Sequence, residues 1–380
     1  MKITSLSCSG FKNLKDIDIR PHEAMNILMG ENAQGKTNLI EAIWLCTGVR
    51  SFRSTKDKDM IALEGDRADI TLSFENDFRE QKIEFSVIRQ DIKNKRILLN
   101  GVKLPYPSKL FGRLRCVVFT PEDLSLSKGS PDNRRQFCDL CISQIKSTYA
   151  AVVNRYNSIL EQRNTLLKNI SYGRSDKDEL EVWDIQLAKL GAYISMMRYN
   201  YTKKLDVYAS RLFDDISKGR EKLTLSYQST VFSELEGRTD YSGDLANEYL
   251  EALEKTRNDD IKLGFTSKGI HRDDLAGRIN DVPIREFASQ GQHRSTALVL
   301  KLSQAYILTE ETDDPPVILL DDVMSELDRS RQEFVINKIK DMQVFITCCD
   351  MNELIGSSQG SLYIIENGRV KKSDASPPRK

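Results

Sequence analysis

Eight residues near the amino terminus have the types and spacing to hold a polyphosphate. Gly30-Glu31-Asn32-Ala33-Gln34-Gly35-Lys36-Thr37 fits the pattern GxxxxGK[ST] throughout. Gly30 and Gly35 let the backbone wrap closely, so that consecutive N–H groups can face phosphate oxygens. A helix following the loop adds the positive end of its dipole. Lys36 supplies a mobile cation for β- and γ-phosphates, and the Thr37 hydroxyl suits Mg²⁺. We include the next residue, Asn38, in this candidate nucleotide site. A second run, Val317-Ile318-Leu319-Leu320-Asp321-Asp322, is four aliphatics followed by two carboxylates. Such a run predicts a parallel strand buried on both faces. Carboxylates just past its carboxyl end lie where open α/β sheets bind ligands. Asp321 is expected to hold Mg²⁺, and Asp322 to orient or deprotonate an attacking water. A third segment, Ser289-Gln290-Gly291-Gln292, precedes an Ala- and Leu-rich helix. Its hydroxyl, glycine and helix N-terminus form a second phosphate-binding surface, although a serine in that position also serves as an ordinary helix cap.

These groups need a sheet to position them. Met25–Met29 is expected as the strand before the phosphate loop and Thr37–Cys46 as the helix after it. Further strands are expected over Lys2–Cys8, Lys15–Arg20, Ala68–Phe74, Lys82–Arg89, Arg96–Leu99 and Leu114–Phe119. The middle of the chain changes period. Cys138, Ile145, Val152, Ile159 and Leu166 recur every seven residues between Arg134 and Lys168. After a polar break, Trp183, Leu187, Leu190, Ile194, Met197 and Tyr201, then Leu205, Tyr208 and Leu212, step by four and three. Two helices with such stripes pack as an antiparallel hairpin, and their length predicts a short arm. Beyond residue 270 the α/β pattern returns, with buried strands at Val317–Leu320 and Val344–Thr347 and a last hairpin turning at Asn367-Gly368. The expected organisation is an α/β head over 1–125 and 266–372, a helical lobe over 126–265, and a disordered tail over 373–380.

Lys plus Arg and Asp plus Glu both number 56 in 380 residues, for zero formal net charge. A chain that coats DNA everywhere is excluded, so any nucleic-acid surface must be a local patch. No run approaches the ~20 apolar residues that span a bilayer, and the start lacks the apolar core of a secretory signal. Seven scattered cysteines point to a reducing cytoplasm, with Cys138 and Cys141 as core packing rather than a zinc site.

With the phosphate loop, the acidic strand, the Ser289–Gln292 segment and Ser325-Glu326-Leu327-Asp328 in this order, the chain resembles the ABC-type ATPases. In that family the Ser289–Gln292 stretch is the signature motif and Ser325–Asp328 the D-loop. The signature of one subunit faces the phosphate loop of another. Lys36, Asp322 and Ser289 then form the candidate catalytic set, and ATP joins a homodimer. Within these ATPases the chain resembles the RecF family. The resemblance rests on Gly10-Phe11-Lys12-Asn13, Val118-Phe119-Thr120-Pro121-Glu122-Asp123-Leu124, Lys128-Gly129-Ser130-Pro131, His271-Arg272-Asp273-Asp274 and the motifs above. It implies an ABC-type head built from both chain ends, weak DNA-stimulated ATP hydrolysis, and binding to double-stranded and gapped DNA near single-/double-strand junctions. It also implies cooperation with RecR and RecO in loading RecA. Lys12 and Asn13, with Phe11, are expected near adenine and ribose. The chain departs from many ABC ATPases in lacking a glutamine in Val117–Leu124 and a histidine after Val344–Thr347, where Cys348, Cys349 and Asp350 follow. Slow turnover is expected.

Arg50, Arg53, Lys56 and Lys58 form a basic cluster after the first helix, and Arg134 and Arg135 open the helical lobe. Arg89, Lys93, Lys95 and Arg96 crowd a strand turn. These are candidate phosphate contacts for DNA. Two other readings share the nucleotide site: an ATP-binding subunit of a membrane transporter, which the inserted arm disfavours, and a nucleotide-gated scaffold without significant hydrolysis, which Asp321-Asp322 disfavours.

Overall fold

The computed structural model describes residues 1–53, 57–76, 79–91, 95–238, 243–350 and 360–373. In chain order its first elements are β1 (Lys2–Ser9), β2 (Asp16–Ile19), β3 (Met25–Met29), α1 (Lys36–Leu45), β4 (Arg67–Asn76), β5 (Arg79–Ile88), β6 (Arg96–Leu99), β7 (Val102–Lys103) and β8 (Cys116–Phe119). Then come α2 (Leu124–Lys128), α3 (Pro131–Ile145), α4 (Tyr149–Ser171), α5 (Leu180–Ser217), β9 (Leu223–Gln228) and α6 (Gly243–Leu263). They are followed by β10 (Asp274–Ile279), β11 (Val282–Pro283), α7 (Ile284–Phe287) and α8 (Gln290–Thr312). The chain ends with β12 (Val317–Leu320), α9 (Arg329–Ile339), β13 (Val344–Cys348), β14 (Gly360–Glu366) and β15 (Arg369–Ser373).

The chain divides into two compact units, 1–123 with 294–380, and 124–293. The first holds a mixed sheet in the order β7-β6-β5-β4-β1-β2-β15-β14-β3-β13-β12-β8. One part is antiparallel: β4 alternates buried and exposed residues and pairs with β5 from Arg67 opposite Ile88 to Asn76 opposite Arg79, as a half-covered sheet should. The other part is parallel. Every residue of β8, β12 and β13 is buried, which is why their sequences read as unbroken apolar runs. The register sets Leu320 of β12 beside Ile346 of β13, and Cys348 of β13 beside Met29 of β3. The carboxyl ends of three adjacent parallel strands therefore lie side by side, each leading into a motif residue. The hairpin turns at Asn100-Gly101 and Asn367-Gly368 have positive φ at both residues, as two-residue hairpin turns require.

The second unit carries the helices and a small sheet, β11-β10-β9. Its organisation differs from the sequence expectation in three ways. The seven-residue stripe is interrupted, because Lys146 leaves α3 with extended backbone and α4 restarts at Tyr149. The seven-residue spacing in the sequence runs on through the turn, from Ile145 to Val152, so periodicity alone does not reveal it. The arm is longer than expected: α5 alone has 38 residues, about 57 Å at 1.5 Å per residue. Residues 266–293, placed with the head by sequence, group with the helical unit, because β10 pairs along its length with β9. At the centre of this unit the fully buried Arg163 binds Asp184, Asp260 and the Thr266 hydroxyl, joining α4, α5 and α6.

Candidate functional site

The phosphate loop runs from the end of β3 into α1 and is held by its neighbours. A Cβ on Gly30 would stand 2.4 Å from the Ile365 carbonyl oxygen, so only glycine lets the loop pass β14. Gly35 has φ 116°, and a Cβ there would meet Leu14 and Asn13 at 2.8 and 2.9 Å. Gln34 faces the β14–β15 turn: its side-chain oxygen accepts from Asn367 N–H at 2.5 Å and its carbonyl from Gly368 N–H at 3.2 Å. Lys36 folds over the loop and donates to the Gly30 and Glu31 carbonyls at 2.6 and 3.0 Å, with Cys349 Sγ at 3.3 Å. Asn32 accepts from Cys349 Sγ at 3.2 Å, and Ala33, with positive φ, accepts from Asn13 Nδ2 at 2.8 Å.

Across the sheet, Thr37 Oγ1 donates to Asp321 Oδ1 at 2.9 Å. Asp321 is 5 % exposed. Burial lifts its carboxyl to about 6, the Thr37 bond opposes that rise, and the Asp322 charge adds to it. Asp322 adopts φ 51°, turning the chain at the strand end. Thr347 on β13 joins the two carboxylates. Its hydroxyl accepts from Asp322 N–H at 2.8 Å and lies 3.2 and 3.1 Å from carboxylate oxygens of Asp321 and Asp322. We did not single out Thr347 from sequence. Its position one residue before Cys348, on the strand beside the acidic one, is the signal that could have found it.

A buried carboxylate with a hydroxyl beside it suits a hard cation that keeps most of its water. No group of three or more His, Cys, Asp or Glu side chains able to hold a metal occurs among the described residues. That arrangement fits Mg²⁺, which is usually bound by one or two protein oxygens plus phosphate and water.

The Ser289–Gln292 segment lies in the second unit and forms a capping box. Ser289 Oγ accepts from Gln292 N–H at 3.2 Å, and Gln292 Oε1 accepts from Ser289 N–H at 2.7 Å. The plain helix-cap role weighed from sequence is thus present. Gln292 Nε2 also donates to Glu221 at 2.7 Å, in the turn between α5 and β9. Ser289 and Gln290 are exposed; Gly291 is half-buried beside them. In the Ser325–Asp328 segment, Ser325 Oγ donates to the Asp322 carbonyl at 3.0 Å. Glu326 ends a short 3-10 turn and Leu327 is buried. Asp328 caps α9, accepting from Arg331 N–H at 3.1 Å and Ser330 Oγ at 2.6 Å. The Ser330 bond leads the effects that lower the Asp328 carboxyl to about 2.

Several expected contacts require correction. Phe11 is wholly buried and cannot stack on a base. Lys12 forms an ion pair with the buried Glu41. Asn13 bonds Ala33 and accepts from Asn38 Nδ2 at 2.7 Å. As placed, the three brace the loop from behind. Arg134 is 7 % exposed, with two nitrogens on Asp274 at 2.7 and 2.8 Å and a third on Gly129 O at 2.9 Å. Arg135 donates to Asp273 O at 2.6 Å and pairs with Asp132. Both arginines hold α3 to the His271–Asp274 motif and offer no free charge to DNA. Arg89 donates to the Ala62, Leu63 and Gly65 carbonyls. Arg50, Arg53 and Lys58 are exposed, with Arg53 reaching Asn38 at 3.2 Å. Lys56, Lys93 and most of the expected tail lie outside the described residues.

Comparison with known proteins gives a consistent result. The RecF/RecN/SMC N-terminal domain model matches residues 2–371. The chain is 38% identical over 372 residues to the DNA replication and repair protein RecF of Acetivibrio thermocellus, covering 97% of this chain and 100% of that protein. Two solved structures, described as the recombination mediator protein RecF-ATPrS and RecF-ATP in the RecFOR pathway, are each 36% identical to it. The first gives a TM-score of 0.89 and covers 97% of both chains. The second gives 0.86 and covers 98% of this chain and 99% of the other.

Proposed function

The chain belongs to the RecF family of DNA replication and repair proteins, within the RecF/RecN/SMC group, and from that membership we propose an ATP-dependent DNA clamp that pairs two copies on nucleotide. One observation carries the proposal: Gly30–Thr37 and Asp321-Asp322 follow the ends of β3 and β12, the two parallel strands that flank β13, and are joined by the Thr37–Asp321 bond of 2.9 Å. In this reading the backbone of Gly30–Thr37 receives the phosphates. Lys36 exchanges its bonds to Gly30 and Glu31 for β- and γ-oxygens. Thr37 and Asp321 are the residues that would hold Mg²⁺, which when bound would supply charge neutralisation on those oxygens. Asp322, oriented by Thr347, accepts a proton from the water that attacks the γ-phosphorus as the bond to the ADP oxygen breaks, giving ADP and phosphate. Ser289 of a second copy leaves its capping bond and donates to the γ-phosphate, assisted by the N-terminus of α8.

The transporter reading lacks support, since the full-length likeness is to RecF proteins. Turnover is weak and DNA-stimulated, because no histidine follows β13 and the site is completed only by pairing. DNA contact falls to the exposed Arg50, Arg53 and Lys58, so binding is phosphate-led and salt-sensitive. Double-stranded and gapped DNA, RecR and RecO, and through them RecA, are the proposed partners in the cytoplasm. Sedimentation with and without ATP, repeated with gapped DNA, tests the proposal. A shift to a dimer with ATP, retained on DNA, is expected; a monomer under all conditions contradicts it. Phosphate release measured alongside separates a hydrolysing clamp from a scaffold that only binds.

A further inference from the structure

Two residues before Ser289 stands Phe287, the last residue of α7, with 71 % of its surface exposed. A phenylalanine buries roughly 150–250 Å² when covered, and among the described residues this one stays largely uncovered. Its position is fixed on either side. Ile284, at the start of the same helical turn, is buried and anchors it, and the Ser289–Gln292 capping box follows directly. Val282, in the β11 strand that leads into α7, is 47 % exposed and is a second apolar side chain open to solvent in this segment. A chain advances at most ~3.6 Å per residue. Phe287 Cα therefore lies within about 7 Å of Ser289 Cα. A surface that closes on Ser289 comes within reach of a side chain as long as that of Phe287.

We propose that Phe287, with Val282 five residues before it, is the apolar anchor of the pairing surface, and that its occupant is a second copy of this chain. The inference rests on the nucleotide-gated pairing set out above and adds the contact that holds the pair. Ser289 contributes a hydroxyl and dipole that act only when a γ-phosphate is present. Phe287 contributes apolar burial that does not depend on the phosphate but becomes available only when the copies approach. A two-fold axis places this contact twice in each pair. The exposed Arg285 and Glu286 on the same turn give it the polar rim usual around an interface anchor.

Phe287→Ser and Phe287→Trp test the proposal. Phe287→Ser is expected to bind a fluorescent ATP analogue like the unsubstituted protein, but to need on the order of 100-fold more protein to pair, since two anchors are lost per dimer. Phe287→Trp is expected to shift its emission to the blue when ATP drives pairing, measured as a difference from the unsubstituted protein, and not to shift when Ser289→Arg is added. Pairing of Phe287→Ser at unchanged protein concentration overturns the inference. So does an unchanged Phe287→Trp spectrum while sedimentation shows dimer. In both cases the nucleotide-gated reading stands. Failure of the unsubstituted protein to pair with ATP overturns both.

Discussion

Thr347 shows how much depends on one hydroxyl at the residue scale. It accepts the Asp322 N–H and touches both carboxylates, so it fixes the direction in which Asp322 faces a water. Thr347→Val is expected to lower ATP turnover about 10- to 100-fold, as loss of a supporting hydrogen bond commonly does. KM should change less than kcat, and Thr347→Ser should restore most of the rate. An unchanged kcat would remove Thr347 from the site. The meeting of Thr37 with Asp321 was legible in the sequence because phosphate chemistry fixes the types and spacing of the two motifs that carry them. Arg134 was misread for the opposite reason: a basic residue in a motif carries no mark of burial. Its bidentate partner Asp274 is 140 residues away. Arg134→Ala is therefore expected to cost about 3 kcal/mol in thermal or urea unfolding, by stranding a carboxylate, and to leave the salt dependence of DNA binding unchanged. Arg50→Ala, Arg53→Ala or Lys58→Ala should each reduce the slope of log affinity against log salt by about one. Equal slopes for all three and the unsubstituted protein would place the DNA surface elsewhere.

Among the elements, the parallel strands and the Asn-Gly hairpins were readable because their physics is local. A strand buried on both faces must be apolar throughout, and a two-residue turn needs positive φ. The pairing of β10 with β9 was not readable, since Leu275–Ile279 has the composition of either sheet and only tertiary contact decides. Nor was the break between α3 and α4, where the seven-residue spacing runs on in sequence through a polar turn. The β14–β15 hairpin illustrates an element acting at a distance in sequence. Its turn holds both oxygens of Gln34, and a Cβ on Gly368 would stand 1.9 Å from the Asn13 carbonyl oxygen. Gly368→Ala is expected to weaken nucleotide binding while lowering stability by about 1–3 kcal/mol, through clash and positive φ together. Calorimetric titration with ATP and a melting curve read the two effects. Loss of stability with unchanged affinity would show that the hairpin does not shape the loop.

At the scale of the whole molecule, the chain has zero formal net charge, and the helical unit buries several of its charges in ion pairs, among them Arg134–Asp274, Arg163–Asp184 and Arg198–Asp139. His271 is half-buried there, between the Tyr156 hydroxyl and the Thr266 carbonyl oxygen. Burial holds it neutral and lowers its pKa from 6.5 to about 4. Between those values the unfolded chain takes up a proton that the folded chain refuses. Stability is therefore full above pH 6.5 and falls as the pH drops towards 4, by up to about 3 kcal/mol. His271→Gln should flatten that decline in urea unfolding; a decline of equal size would assign it to other groups. The central claim is that a catalytic site is assembled from two copies, and mixing two defective variants tests it most directly. Lys36→Ala disables the phosphate loop and Ser289→Arg the opposing cap, so neither alone should hydrolyse ATP. In an equal mixture half of the dimers are heterodimers, each with one intact site, and about a quarter of the unsubstituted activity should return. A mixture as inactive as its components would place loop and cap in one chain and contradict the account.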